Sequence, residues 1–94
     1  MNTGDTKDLL TPLRDNLRGV DDEIVRLVIR RMEIVREIGA LKQKHGIEIN
    51  DPAREASNLE RNRKLCADKI PASFIDELSE ILAKWSRWIQ SQVR

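Results

Sequence analysis

Arg31 stands where the pattern of the chain asks for an apolar residue. Around it Leu13, Leu17, Val20, Ile24 and Leu27, then Ile34, Ile38 and Leu41, recur in alternating steps of four and three, and Arg31 falls in the gap. A guanidinium on such a seam is costly unless an anion meets it. Lys42 follows 11 residues later, within about 20° of the same helical face and roughly 16 Å along the axis. Two long basic side chains over one strip can close on a small anionic ligand. Arg14 precedes Arg31 by 17 residues, roughly 25 Å along a helix, too far to serve that ligand within its own chain. In an antiparallel dimer the other copy's Arg14 reaches it.

Neutral donors occur near the other end of the chain. Ser86 and Gln90 are spaced i, i+4 and border the row Leu82, Ile89 and Val93, so a hydroxyl and an amide share one face. Asp51, Arg54 and Glu55 gather where another helix begins. Each has an ordinary explanation. A lone cation on a seam usually snorkels or pairs with a nearby carboxylate. Ser86 and Gln90 fit the solvent edge of a helix, and Asp51 is accounted for as an N-cap. Arg54 and Glu55 suit a surface, where Glu55 also complements the helix dipole. Periodicity alone favours these plainer readings.

Three helices position these residues. Thr11-Pro12 reads as a helix start, a capping hydroxyl followed by proline in the first turn. The apolar repeat then continues to Gly46, a helix terminator. Gly19 and Gly39 each weaken this helix by about 1 kcal/mol against alanine without stopping it. The helix is therefore expected over 12–45, about 50 Å long, with residues 1–10 as a flexible approach. So long a stripe exceeds what the remainder of the chain can cover, and a coiled-coil-like seam against a second copy follows. Asp51-Pro52 opens a helix expected over 52–68. Pro71 opens one over 71–93, with Phe74, Leu78, Ile81, Trp85 and Trp88 in one row and Ile75, Leu82, Ile89 and Val93 in another, a wide core face. The fold class is all-α.

Composition narrows the functions open to such a chain. Among 94 residues, 35% are charged and 39% hydrophobic, with one Phe, two Trp and no Tyr, which favours helices over sheet. The 17 basic and 16 acidic residues leave a net charge of +1, so electrostatics argue for neither nucleic acid nor an anionic membrane as a partner. Cys66 and His45 are each alone of their kind, which excludes an internal disulfide and gives no metal-ligand constellation. No apolar run is long enough for a signal peptide or a membrane span. A cytoplasmic location is the expectation.

The run LRDNLRGVDDEIVRLVIRRMEIVREIGALK, the stretch IND-P-A-R-E and a final S-x-x-x-Q together resemble the all-helical chorismate mutase family, from about Leu10 to Val93. Every polar outlier above falls on a family active-site position, a coincidence more specific than any one motif. The resemblance implies an intertwined homodimer of three-helix chains, with the long first helices antiparallel and two equivalent sites. It implies that Arg14 crosses into the partner's site and that Arg31 and Arg54 bind carboxylates. Lys42 then contacts a carboxylate and the ether oxygen, and Gln90 donates to that oxygen. Glu55 receives the ring hydroxyl with help from the backbone at Asp51, and Ser86 lines the ring-carboxylate end. Pro52 departs from this pattern, since it removes the N–H of residue 52 from hydroxyl recognition.

The implied reaction is the [3,3] rearrangement of chorismate to prephenate, in which one C–O bond breaks as one C–C bond forms. It moves no proton between enzyme and substrate and needs no cofactor. Three rivals fit the same residues: a mutase for 4-amino-4-deoxychorismate, an isochorismate-pyruvate lyase, and a non-catalytic helical dimer.

Overall fold

The computed structural model describes residues 3–93, with side chains described over 8–93. Three helices follow one another: α1 (Thr3–His45), α2 (Pro52–Cys66) and α3 (Ala72–Gln92). Among the described residues there is no strand, and the fold is all-α as the composition indicates.

The start of α1 departs from the expected Thr11-Pro12 boundary. The helix runs through Pro12, and residues 3–10, expected as a flexible approach, form its first turns. Met1 and Asn2 lie outside the described residues. Proline already has a helical φ and removes one N–H, so a helix can pass it at a cost of about 3 kcal/mol. The other end matches expectation. Gly46 adopts a left-handed φ of 66°. The Ile47 amide donates to the Lys42 carbonyl at 2.8 Å, closing α1 in a Schellman-type turn.

Asp51 caps α2 as its sequence predicts, with its side chain accepting from the Arg54 amide at 3.1 Å and proline in the first turn. The helix stops at Cys66, two residues short of the expected 68, because Ala67 takes φ 47° and ψ −128°, a conformation that breaks the helical path. Pro71 precedes α3 without a side-chain cap, and its carbonyl receives the Phe74 amide at 3.0 Å.

The chain comprises two compact units, Met1–Arg31 and Met32–Arg94. In the first, the predicted row faces solvent: Leu13, Leu17, Val20, Ile24 and Leu27 are all more than half exposed. In the second, α2 and α3 run antiparallel and are joined by polar pairs. Asn62 donates to the Ser79 hydroxyl at 2.9 Å, and Arg63 forks onto both carboxylate oxygens of Asp76 at 2.8 and 2.9 Å. Val35, Cys66, Ile75 and Ile89 form the small core of this unit.

The wide core face expected of α3 is only half covered. Ile75 and Ile89 are buried and Leu82 and Val93 half-buried, whereas Phe74, Leu78, Ile81, Trp85 and Trp88 stay exposed. The five residues of this second row keep 41–54% of their surface exposed. Trp85 and Trp88 meet edge to face, with ring centroids 5.5 Å apart.

Candidate active site

Gln90 is the deepest polar group of the described chain. Its neighbour Ile89 is 3% exposed and Gln90 itself 7%, although the i, i+4 pair with Ser86 fits a solvent edge on sequence grounds. The Gln90 Oε1 is buried and has no hydrogen-bond partner among the described residues. A buried amide oxygen without a partner forfeits the solvation it had in water.

Gly39 explains how Gln90 comes to lie there. A Cβ at position 39 would come within 3.0 Å of the Gln90 Cα, 3.2 Å of its Cγ and 2.8 Å of a Val93 methyl. Only glycine lets α3 come this close to the last turns of α1. Lys42 is one turn beyond Gly39, so its backbone passes roughly 5 Å along the axis from the Gln90 contact. The Lys42 ammonium is half-buried and donates to the Ile49 carbonyl at 3.1 Å, which ties the end of α1 to the segment leading into α2. An ammonium has three donors, so this bond leaves two for other acceptors.

The first turn of α2 presents Asp51, Arg54 and Glu55. Asp51 and Arg54 are exposed, and one Asp51 oxygen is committed to the cap. Glu55 is half-buried. Arg87, on α3, places its Nη1 2.6 and 2.7 Å from the two Glu55 oxygens. Glu55 is a candidate on sequence grounds, but its pairing with Arg87 is not marked there, since the two are 32 positions apart and an arginine is common on a helix surface. Sequence reasoning missed Arg87 entirely. A signal existed only in hindsight: Arg87 immediately follows Ser86, on the helix already suspected of lining a site.

Ser86 is half-buried and donates to the Leu82 carbonyl at 2.6 Å. In this rotamer its proton points along its own helix, and the oxygen offers lone pairs to a neighbour. In the second unit, Gln90 thus packs against the last turns of α1, which carry Lys42, and Arg87 holds Glu55 against α3 next to Ser86, while Arg54 is exposed in the first turn of α2. Arg14 and Arg31 belong to the first unit. Arg14 is exposed. Arg31 is partly buried, and that burial pushes its guanidinium below the usual arginine range. Among the described residues no group of three or more His, Cys, Asp or Glu could hold a metal ion. No helix among them is long and apolar enough to cross a membrane.

This arrangement offers a half-buried cation, a neutral amide sunk beside a glycine, and a carboxylate paired with an arginine. Comparison with known proteins gives the family. The sequence model of the family chorismate mutase type II matches residues 13–91. The chain is 39% identical over 70 residues to T-protein of Enterobacter agglomerans, covering 73% of this chain and 19% of that one. It is 33% identical over 78 residues to T-protein of Haemophilus influenzae, covering 83% and 20%. Chorismate mutase of Methanocaldococcus jannaschii is 29% identical over 84 residues, covering 88% of this chain and 85% of that protein. The chain thus spans about a fifth of the length of the two T-proteins and most of the Methanocaldococcus protein. No solved structure matches it significantly. With the family pattern running through all three helices, the chain belongs to the chorismate mutase type II family.

Proposed function

We propose that this chain rearranges chorismate to prephenate as a homodimer, in a site shared between two copies. The observation that carries the reading is Gln90. A primary amide buried with its oxygen unsatisfied costs stability in the single chain, and a ligand that engages the amide group supports its place there.

The substrate carries two carboxylates and must fold its enolpyruvyl arm over the ring before bonds can exchange. Arg31 and Arg54, with Arg14 of the partner subunit, bind the carboxylates, because planar guanidinium forks give bidentate, charge-assisted hydrogen bonds. Holding the folded conformer removes part of the entropic barrier. As the C–O bond lengthens, negative charge grows on the ether oxygen. Lys42 and Gln90 are donors set in place before that charge appears, the arrangement with the greatest leverage on rate. Each such donor lowers the barrier by about 3–4 kcal/mol. Glu55 accepts from the ring hydroxyl, and Asp51 shapes the turn beside it. Ser86 borders the ring-carboxylate end, where its hydroxyl must rotate away from Leu82 to donate.

The dimer is supported by the apolar row of α1, which one chain leaves in water along Leu13, Leu17, Val20, Ile24 and Leu27. Burying that row against a second copy removes the largest hydrophobic liability of the first unit. A cytoplasmic setting fits the unpaired thiol of Cys66.

The test is chorismate consumption with identification of the product. Prephenate as sole product is the expected result. Pyruvate release, or turnover of isochorismate or 4-amino-4-deoxychorismate with chorismate inert, overturns the assignment.

A further inference from the structure

We propose that Arg87 is a positioning residue that selects a neutral ring hydroxyl over a ring ammonium at the Glu55 subsite. The inference rests on the mutase reading and deepens it, since it names which ring substituent this chain accepts.

The Arg87 Nη1 bridges both oxygens of Glu55, at 2.6 and 2.7 Å. A single nitrogen in that position fixes the rotation of the carboxylate. A carboxylate has about four lone-pair positions, so two remain on the side turned away from the guanidinium. Those two suit one hydroxyl donor. Both side chains are little more than a third exposed, 38% for Arg87 and 36% for Glu55, so water screens the pair only in part.

The charge count decides the selectivity. Glu55 alone is a net anion and would draw a substrate ammonium more strongly than a hydroxyl. With Arg87 bound across it the pair is neutral. An ammonium on the remaining lone pairs would then sit within roughly 5 Å of a like charge. A hydroxyl meets no such repulsion, and the oriented oxygens still accept its proton. The ring substituent gains no charge in the rearrangement, so the discrimination falls on ground state and transition state alike and is read in KM. Arg87 also joins α3 to the first turn of α2, which keeps Glu55 in register with Gln90, one turn further along α3.

The experiment measures kcat and KM of the full chain on chorismate and on 4-amino-4-deoxychorismate, for wild type, Arg87→Met and Arg87→Lys. Arg87→Met is expected to lower the chorismate-to-amine ratio of kcat/KM at least about tenfold, mainly through a lower KM for the amine. Arg87→Lys keeps the cation and should restore the ratio to within about threefold of wild type. An unchanged ratio in Arg87→Met, or a lysine variant that behaves like methionine, overturns the role of Arg87 while the mutase reading stands. A wild-type chain that turns over neither substrate overturns both. If Arg87→Met does not fold, Arg87→Gln is read by the same ratio and the same outcomes.

Discussion

The Cα of Gln90 lies 3.0 Å from where a side chain at Gly39 would begin. Ordinary carbon contacts stand well outside that distance, so the two helices meet here only because residue 39 has no Cβ. Gly39→Ala adds helix propensity worth about 1 kcal/mol, yet besides the Val93 methyl, which can rotate aside, it meets the Gln90 Cα, which is backbone and cannot. Overpacking costs typically 1–3 kcal/mol, so the net change is expected to be destabilising by about 1 kcal/mol or more. Urea denaturation measures that loss. The displaced amide should also lower kcat at least about tenfold, because donors act only when aimed.

Removing the amide is a sharper cut. Gln90→Ala should lower kcat at least about a hundredfold with the helical content unchanged, and Lys42→Ala should do the same. Gln90→Glu separates donation from packing. A carboxyl group donates only when protonated, and burial raises a carboxylic acid above its usual value of about 4.3. The glutamate variant should therefore be more active at pH 5 than at pH 8, whereas the wild-type amide donates at both. A flat profile in the variant would remove Gln90 from the ether oxygen.

Sharing of the site is tested by mixing inactive variants. If two copies share their sites as proposed, Arg14→Ala and Arg31→Ala homodimers would each lose one carboxylate clamp at both sites. In a mixed dimer one site carries both lesions and the other neither. Partial recovery of activity after proven subunit exchange is the expected result. Exchange without recovery places Arg14 outside the partner's site.

The α2–α3 hairpin gives a pH dependence of known sign. Arg63 holds the Asp76 carboxyl below the usual range, chiefly through the hydrogen bond it donates and then through its charge. A carboxylate depressed in the folded state stabilises above its unfolded pKa and stops stabilising as pH falls through the folded value. The contribution is thus present near neutrality and fades below about pH 4. Asp76→Asn should lower stability slightly near neutrality, as suits a pair open to solvent, and converge with wild type below about pH 4, flattening that part of the acid unfolding curve. Thermal melts between about pH 2 and 7 measure it.

Sequence periodicity reached far into this fold because the information is local. Asp51 caps, Pro52 leads and Gly46 terminates through contacts with immediate neighbours, and each does so in the structure. Pro12 misled for the same reason: a proline reads as a boundary locally, yet one missing N–H does not end a helix with sound turns on both sides. The long-range features lay beyond such reading. Gln90 looks like a surface residue until Gly39 brings α1 against it, and nothing along the chain couples positions 39 and 90. The Arg87–Glu55 pair depends on how α2 folds back along α3, a property of the hairpin and not of either helix. The exposed row of α3 shows the limit from the other side, for periodicity reports which face is greasy and says nothing of what covers it.

The uncovered leucines and isoleucines of α1 bear on how little protein can be put in a cuvette. If two copies must meet before either can work, specific activity will fall on dilution as the square-law equilibrium gives way to separate chains. Lag phases after a concentrated stock is diluted, and protection of activity by substrate that spans both copies, are then the everyday signature of a catalyst assembled by mass action.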